Sequence, residues 1–156
     1  MKKDETLKSL EIAKIELTRF VETAKSLISG IDAQDKVLPI LPRETKFGEW
    51  FYSDGQKLKA LSNNPLECMS NIEQLHERLH ERYCEIFDLY FSVEEKSGFL
   101  SKIFKPKQKV LTESELKLAK EKYVFMEKTA EELLSEIERL ERRLVAVSEE
   151  KINTLA

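Results

Sequence analysis

Three stretches of the chain repeat apolar residues at steps of three and four, the spacing that gathers side chains on one face of an α-helix. Leu10, Ala13, Leu17, Phe20, Ala24, Leu27 and Ile31 form the first stripe, which Val21 and Ile28 widen. Met69, Ile72, Leu79, Tyr83, Ile86 and Tyr90 form the second. In the third, Leu116, Tyr123, Ala130, Ile137 and Leu144 alternate with Ala119, Met126, Leu133, Leu140 and Val147. It holds its register for about five heptads, the signature of a long bundle helix.

Local signals mark where these helices start and stop. Gly30 follows the first stripe and fits a C-terminal stop. Before the second, Asn64 can cap, Pro65 suits the first helical position, and Glu67 stands three residues beyond Asn64. Thr112 and Glu115 have capping-box spacing before the third. The pattern predicts an all-α protein, an antiparallel four-helix bundle in one domain over residues 1–156. Its helices fall at 1–31, 64–91 and 112–150, with a short helical segment at 45–61 and a loop at 92–111. The extra helix of the short segment covers about 45–53.

At a rise of about 1.5 Å per residue the last helix spans roughly 55 Å, longer than the helix ending near Phe91 can cover. Its tail would need a second subunit or a neighbouring domain to bury Leu144, Val147 and Leu155, so a homodimer through the C-terminal helix is expected; fraying of the last turns is the competing reading.

Two connectors carry more apolar residues than a solvated loop needs. Residues 31–44 hold two prolines together with Val37, Leu38, Ile40 and Leu41, which are expected to cover one end of the bundle. Residues 45–55 concentrate aromatics around the only tryptophan. The expectation is a short helix whose Trp50 and Phe51 plug the core, with Gly48 allowing backbones to approach and Asp54-Gly55 making a turn. A third connector sets Lys102, Lys105, Lys107 and Lys109 beside Phe99, Leu100, Ile103 and Phe104. This basic loop, residues 98–109, fits either a membrane surface or acidic partner, or a loop that tucks its aromatics under itself.

Composition narrows the function classes. Lys and Arg number 26 against 29 Asp and Glu, interspersed along the helices, so no basic face of nucleic-acid type is present. Four glycines and four prolines leave little room for hairpins. Cys68 and Cys84 lie about 24 Å apart along one helix and cannot bridge within it, as suits thiols in a reducing compartment. Neither a signal-type apolar run nor a spanning segment is seen, so a soluble cytoplasmic protein without a membrane partner is expected.

The candidate chemistry is the pair His76 and His80, the only histidines of the chain, four residues apart on the second helix. That spacing stacks two imidazoles on one face. Placing the apolar stripe in the core puts His76 on the seam and His80 beside it. Together with Glu77 they also spell HExxH, the helix of zinc proteases. In such enzymes a later Glu or His is the third ligand; the chain has no third histidine, although glutamates abound on the last helix, and so helical a chain offers no substrate-binding strand or glycine-rich cleft. No phosphate loop, nucleophile elbow or CxxC pair is present, and the chain is not expected to be an enzyme. A plainer possibility is a polar pair in the core, hydrogen bonded to Trp50, Tyr83 or backbone.

The order of these parts resembles the chemoreceptor zinc-binding domain, a bacterial four-helix bundle found on chemoreceptors and diguanylate cyclases and sometimes alone. Phe47, Gly48 and Trp50 match its short aromatic segment, and His76 and His80 match its paired-histidine helix. The similarity runs from about Leu10 to Val147. The resemblance implies a zinc site of three histidines and one cysteine. Here the family's cysteine falls on Thr45 and its first-helix histidine on Leu17, leaving His76 and His80 as the metal ligands. Glu16, Glu44 or Glu73 would be the substitutes within reach of a shifted register. The implied function is a regulatory, sensory bundle with a weakened or lost zinc site. It would act by helix rearrangement or dimerisation on a signalling partner. The alternative is a purely structural, partner-binding bundle.

Overall fold

The computed structural model describes residues 1–33, 36, 38–61, 65–91 and 107–155. Its element order is α1 (Lys3–Ile28), a 3-10 turn (Pro42–Glu44), α2 (Lys46–Phe51), a second 3-10 turn (Asp54–Ala60), α3 (Pro65–Tyr90), α4 (Glu113–Ala146) and α5 (Glu149–Asn153). Every regular element is helical among the described residues, so the all-α bundle read from the pattern is the fold. The long helices α3 and α4 make the most extensive packing, and α1 lies along α4. The short α2 and its flanking 3-10 turns fill the space that α1 and α3 leave open. No helix among the described residues is long and apolar enough to cross a membrane.

The stripes become one core. Leu10, Ala13, Leu17, Phe20, Ala24 and Leu27 of α1 meet Ile72, Leu79, Tyr83 and Ile86 of α3 and Met126, Leu133, Ile137 and Leu140 of α4 in one buried cluster. Fully burying an aliphatic side chain of this kind contributes roughly 1.5–3 kcal/mol, so these seams dominate stability.

Helix ends follow their local chemistry. Gly30, with φ of 72°, closes α1. The Gly30 N–H reaches the Leu27 carbonyl and the Ile31 N–H reaches that of Ser26, both at 3.0 Å. This double bond pattern needs the left-handed residue that glycine supplies most cheaply. The helix therefore stops at Ile28, and Ile31 is exposed instead of continuing the seam. The Thr112 hydroxyl accepts from the Glu115 N–H while the Glu115 carboxylate accepts from the Thr112 N–H, as the capping-box spacing predicts.

The tail of α4 differs from the expectation of an uncovered overhang. The helix ends at Ala146, Val147 turns extended, and the Ser148 hydroxyl caps α5, which returns against α1. Leu144, Val147 and Ile152 are buried and Leu155 is half-buried within the single chain. The physical reason lies at the other end of the sequence. Because α1 begins at Lys3, its 26 residues, about 39 Å, reach the end of α4. There the Lys3 ammonium donates to the carbonyls of Val145 and Val147 at 2.8 and 2.6 Å. A cation on a helix C-terminus satisfies carbonyls that lack intrahelical partners.

Candidate functional site

Residues 38–52 form a collar over α3, and each part of it is fixed by an identifiable bond. The Tyr83 hydroxyl accepts from the Leu38 N–H at 3.1 Å. Two residues on, the Ile40 carbonyl lies 2.7 Å from Nδ1 of His80. A carbonyl can only accept, so Nδ1 carries the proton and Nε2 keeps its lone pair. Further along, the Thr45 hydroxyl accepts from the Gly48 N–H at 2.9 Å and donates to the Pro42 carbonyl at 3.0 Å. The Glu16 carboxylate of α1 accepts from the N–H groups of Lys46 and Phe47, each at 3.0 Å. Glu16 thus completes the N-terminus of α2 from another helix, as an anion at the positive end of a helix should.

The collar shields the histidine pair. His76 and His80 are 4% and 1% exposed, so both face the core, as their position relative to the seam predicts. Their rings stand perpendicular with centroids 4.8 Å apart. Phe20 of α1 meets the edge of His80 at 4.6 Å, and Phe47 of α2 meets His76 at 5.1 Å. Tyr52 stacks on His76 at 6.2 Å. α1, and α2 with its capping residue Tyr52, therefore converge on two imidazoles of α3. Nδ1 of His76, Nε2 of His80 and the Tyr52 hydroxyl are buried without a hydrogen-bond partner.

Charge on either ring is opposed. Burial, and then the neighbouring His80, pulls the His76 imidazole down to about 3 from an ordinary 6.5. Burial also lowers His80, against the bond to Ile40, which favours its protonated form. Burial pushes the Tyr52 hydroxyl up to about 12, with the carboxylates of Glu77 and Glu73 adding to it. At neutral pH the site is two neutral imidazoles, and His80 alone is tied by a hydrogen bond, the one to Ile40.

Of the residues singled out in the sequence, Phe47 and Gly48 are buried in α2, and Trp50 is half-buried against Phe47, with centroids 6.0 Å apart. Phe51, together with Phe47 and not Trp50, plugs the core. Leu41 corrects the expectation that the connector's apolar residues cover the bundle: it is 58% exposed, whereas Leu38 and Ile40 are partly buried. Val37 and the lysine-aromatic run at 98–106 lie outside the described residues. Glu77, the base of an HExxH reading, is exposed while the two free ring nitrogens are sealed from solvent.

Leu17 and His76 line the same small void of about 10 Å³, with Phe20 and Phe47. This is room for about one water-sized particle. Leu17 offers it only a hydrocarbon surface, Thr45 spends its hydroxyl on the α2 cap, and Glu16 spends both oxygens on α2 N–H groups. No group of three or more His, Cys, Asp or Glu side chains placed to hold a metal occurs among the described residues. Two imidazoles alone do not fit the closed four-ligand site that structural zinc requires. The collar bonds were not foreseen, since contacts such as Glu16 to Lys46 leave no periodic trace. Comparison of the chain with protein-family models, curated proteins and solved structures returns no match.

Proposed function

We propose that this protein is a non-enzymatic regulatory bundle of bacterial cytoplasmic signalling, a divergent relative of the chemoreceptor zinc-binding domain whose metal site is weakened or lost, leaving a histidine pair. The observation that supports the reading is the pair itself. Two imidazoles each bury a ring nitrogen without a partner inside a core built by α1, α2 and α3, and one of them holds the collar through Ile40. The Nδ1–H of His80 bound to a carbonyl is the arrangement by which proteins orient a ligating imidazole. Any event at the free nitrogens is felt by the collar and by α3 together, which is how a bundle transmits a local change without chemistry.

Elemental analysis and thermal unfolding of untagged protein test this, with the paired substitution His76→Ala, His80→Ala as reference. The expected result is zinc that a chelator strips readily, and a rise in Tm on adding excess zinc that the paired variant lacks. An unchanged Tm with zinc would overturn the sensing role. Stoichiometric zinc that survives the chelator would overturn the weakened site.

Output through a homodimer is part of the same proposal, with a different surface from the tail of α4. Leu118, Val124 and Phe125 on the first half of α4 are 42%, 62% and 60% exposed, whereas Leu144 and Val147 of the tail are buried within the chain. Phe125→Glu is expected to keep the helical content of the chain and to shift the mass in light scattering from dimer to monomer, with Tm losing its dependence on protein concentration. A wild-type monomer at every concentration would exclude this output.

A further inference from the structure

A second opening lies on the outer side of the collar, and the histidine reading does not use it. It is a cleft of about 660 Å³, lined on one side by Ile40, Leu41 and Pro42 with Tyr52, and on the other by the face of α3 that carries Glu77 and Glu81. The volume is that of a small-molecule site. Its two walls differ in kind. Ile40, Leu41 and Pro42 present hydrocarbon, and Leu41 is the exposed apolar side chain that the collar fails to bury. Opposite, Glu77 and Glu81 stand one helical turn apart, about 6 Å along the axis.

The charges of this cleft are unbalanced. Glu85, a turn further on, is paired with Arg82 and Lys122. Asp88, the last carboxylate of the lining, accepts from the Cys84 thiol, and Arg43, the one cation among the described lining residues, lies over the Tyr52 ring at 4.3 Å in a cation–π contact. Glu77 and Glu81 have no cationic partner among the described residues. His80, 1% exposed, forms part of the lining and fixes the collar wall through its bond to Ile40. The Tyr52 side chain, also in the lining, keeps a hydroxyl without a partner.

We propose that this cleft binds a small organic cation, an amine with an apolar or aromatic body. Its ammonium lies between Glu77 and Glu81, and its body lies on Ile40, Leu41 and Pro42. Charge complementarity selects the class. An anion meets two free carboxylates, and a neutral apolar molecule leaves them unanswered. The proposal does not depend on a metal at the histidine pair.

Titration of the full chain with phenethylammonium, followed by amide chemical shifts, tests it against phenethyl alcohol and 3-phenylpropionate. The amine is expected to shift residues 40–43 and 77–85, to bind at least about tenfold more tightly than the alcohol, and to outcompete the acid entirely. Glu77→Gln with Glu81→Gln, both at exposed positions, should remove that preference while leaving Tm unchanged. Equal binding of amine and alcohol, shifts confined to other surfaces, or a preference that survives the paired substitution would each overturn the proposal.

Discussion

Lowering the pH from about 7.5 to about 5 should cost the protein roughly 2 kcal/mol of stability through His76 alone. The sign follows from where the proton is held. In the unfolded chain His76 titrates near 6.5, whereas in the fold burial and His80 hold it down to about 3. Between those values the unfolded state binds a proton that the folded state refuses, so stability present above 6.5 is lost as the pH falls toward 3. His80, lowered by the same burial, adds to the loss. The carboxylates that the fold favours in their charged form, Glu11, Glu85 and Glu115, start from an ordinary 4.5. Their contribution falls away at lower pH, and above about pH 5 the slope belongs mainly to the histidines. Urea unfolding at a series of pH values measures it. His76→Leu, which also removes a partnerless nitrogen, should reduce the loss by about 2 kcal/mol, and a slope identical to wild type would show that the ring is already charged or solvated in the fold.

Gly48→Ala should destabilise the protein by about 3 kcal/mol, the upper part of the range for overpacking a tight site. A Cβ at this position would lie 1.8 Å from the Pro42 carbonyl oxygen and 2.8 Å from its carbon. Both are backbone atoms, so no rotamer change relieves the clash. The 3-10 turn would have to move away, and with it the Thr45 hydroxyl, which joins Pro42 to Gly48. The requirement is one of space, since the positive φ of the described glycines is at Gly30. Urea unfolding gives the energy, and the fluorescence of Trp50, the only tryptophan, reports on α2 directly. A loss below about 0.5 kcal/mol would mean that the turn yields freely and that the collar is loosely held.

The seams of α1, α3 and α4 were legible because helical periodicity is local and repeated. So were the capping box at Thr112 and the stop at Gly30, where a single residue type answers a backbone need. The inward facing of His76 and His80 followed from their register with Ile72, Leu79 and Tyr83. What those nitrogens do is a different matter. That His80 donates to Ile40, that Glu16 caps α2, and that Thr45 is consumed by its own turn depend on segments meeting from separate parts of the chain.

The tail of α4 shows the same division. Its heptads correctly announced Leu144 and Val147 as residues to be buried. The partner, however, is α1 with the returning α5 of the same chain. Periodicity states that a face needs a cover and says nothing about which surface supplies it.

By itself the sequence determined the helices, their inward faces and the place of two imidazoles on one of them. The tertiary structure decided that the imidazoles are sealed by a collar, with Leu17 and the committed groups of Glu16 and Thr45 around them, and that a charged cleft opens on the collar's outer side. The reason is physical. Helix formation and amphipathic burial are encoded within a few residues, whereas a site is a meeting of groups whose distances exist only once the chain has closed on itself.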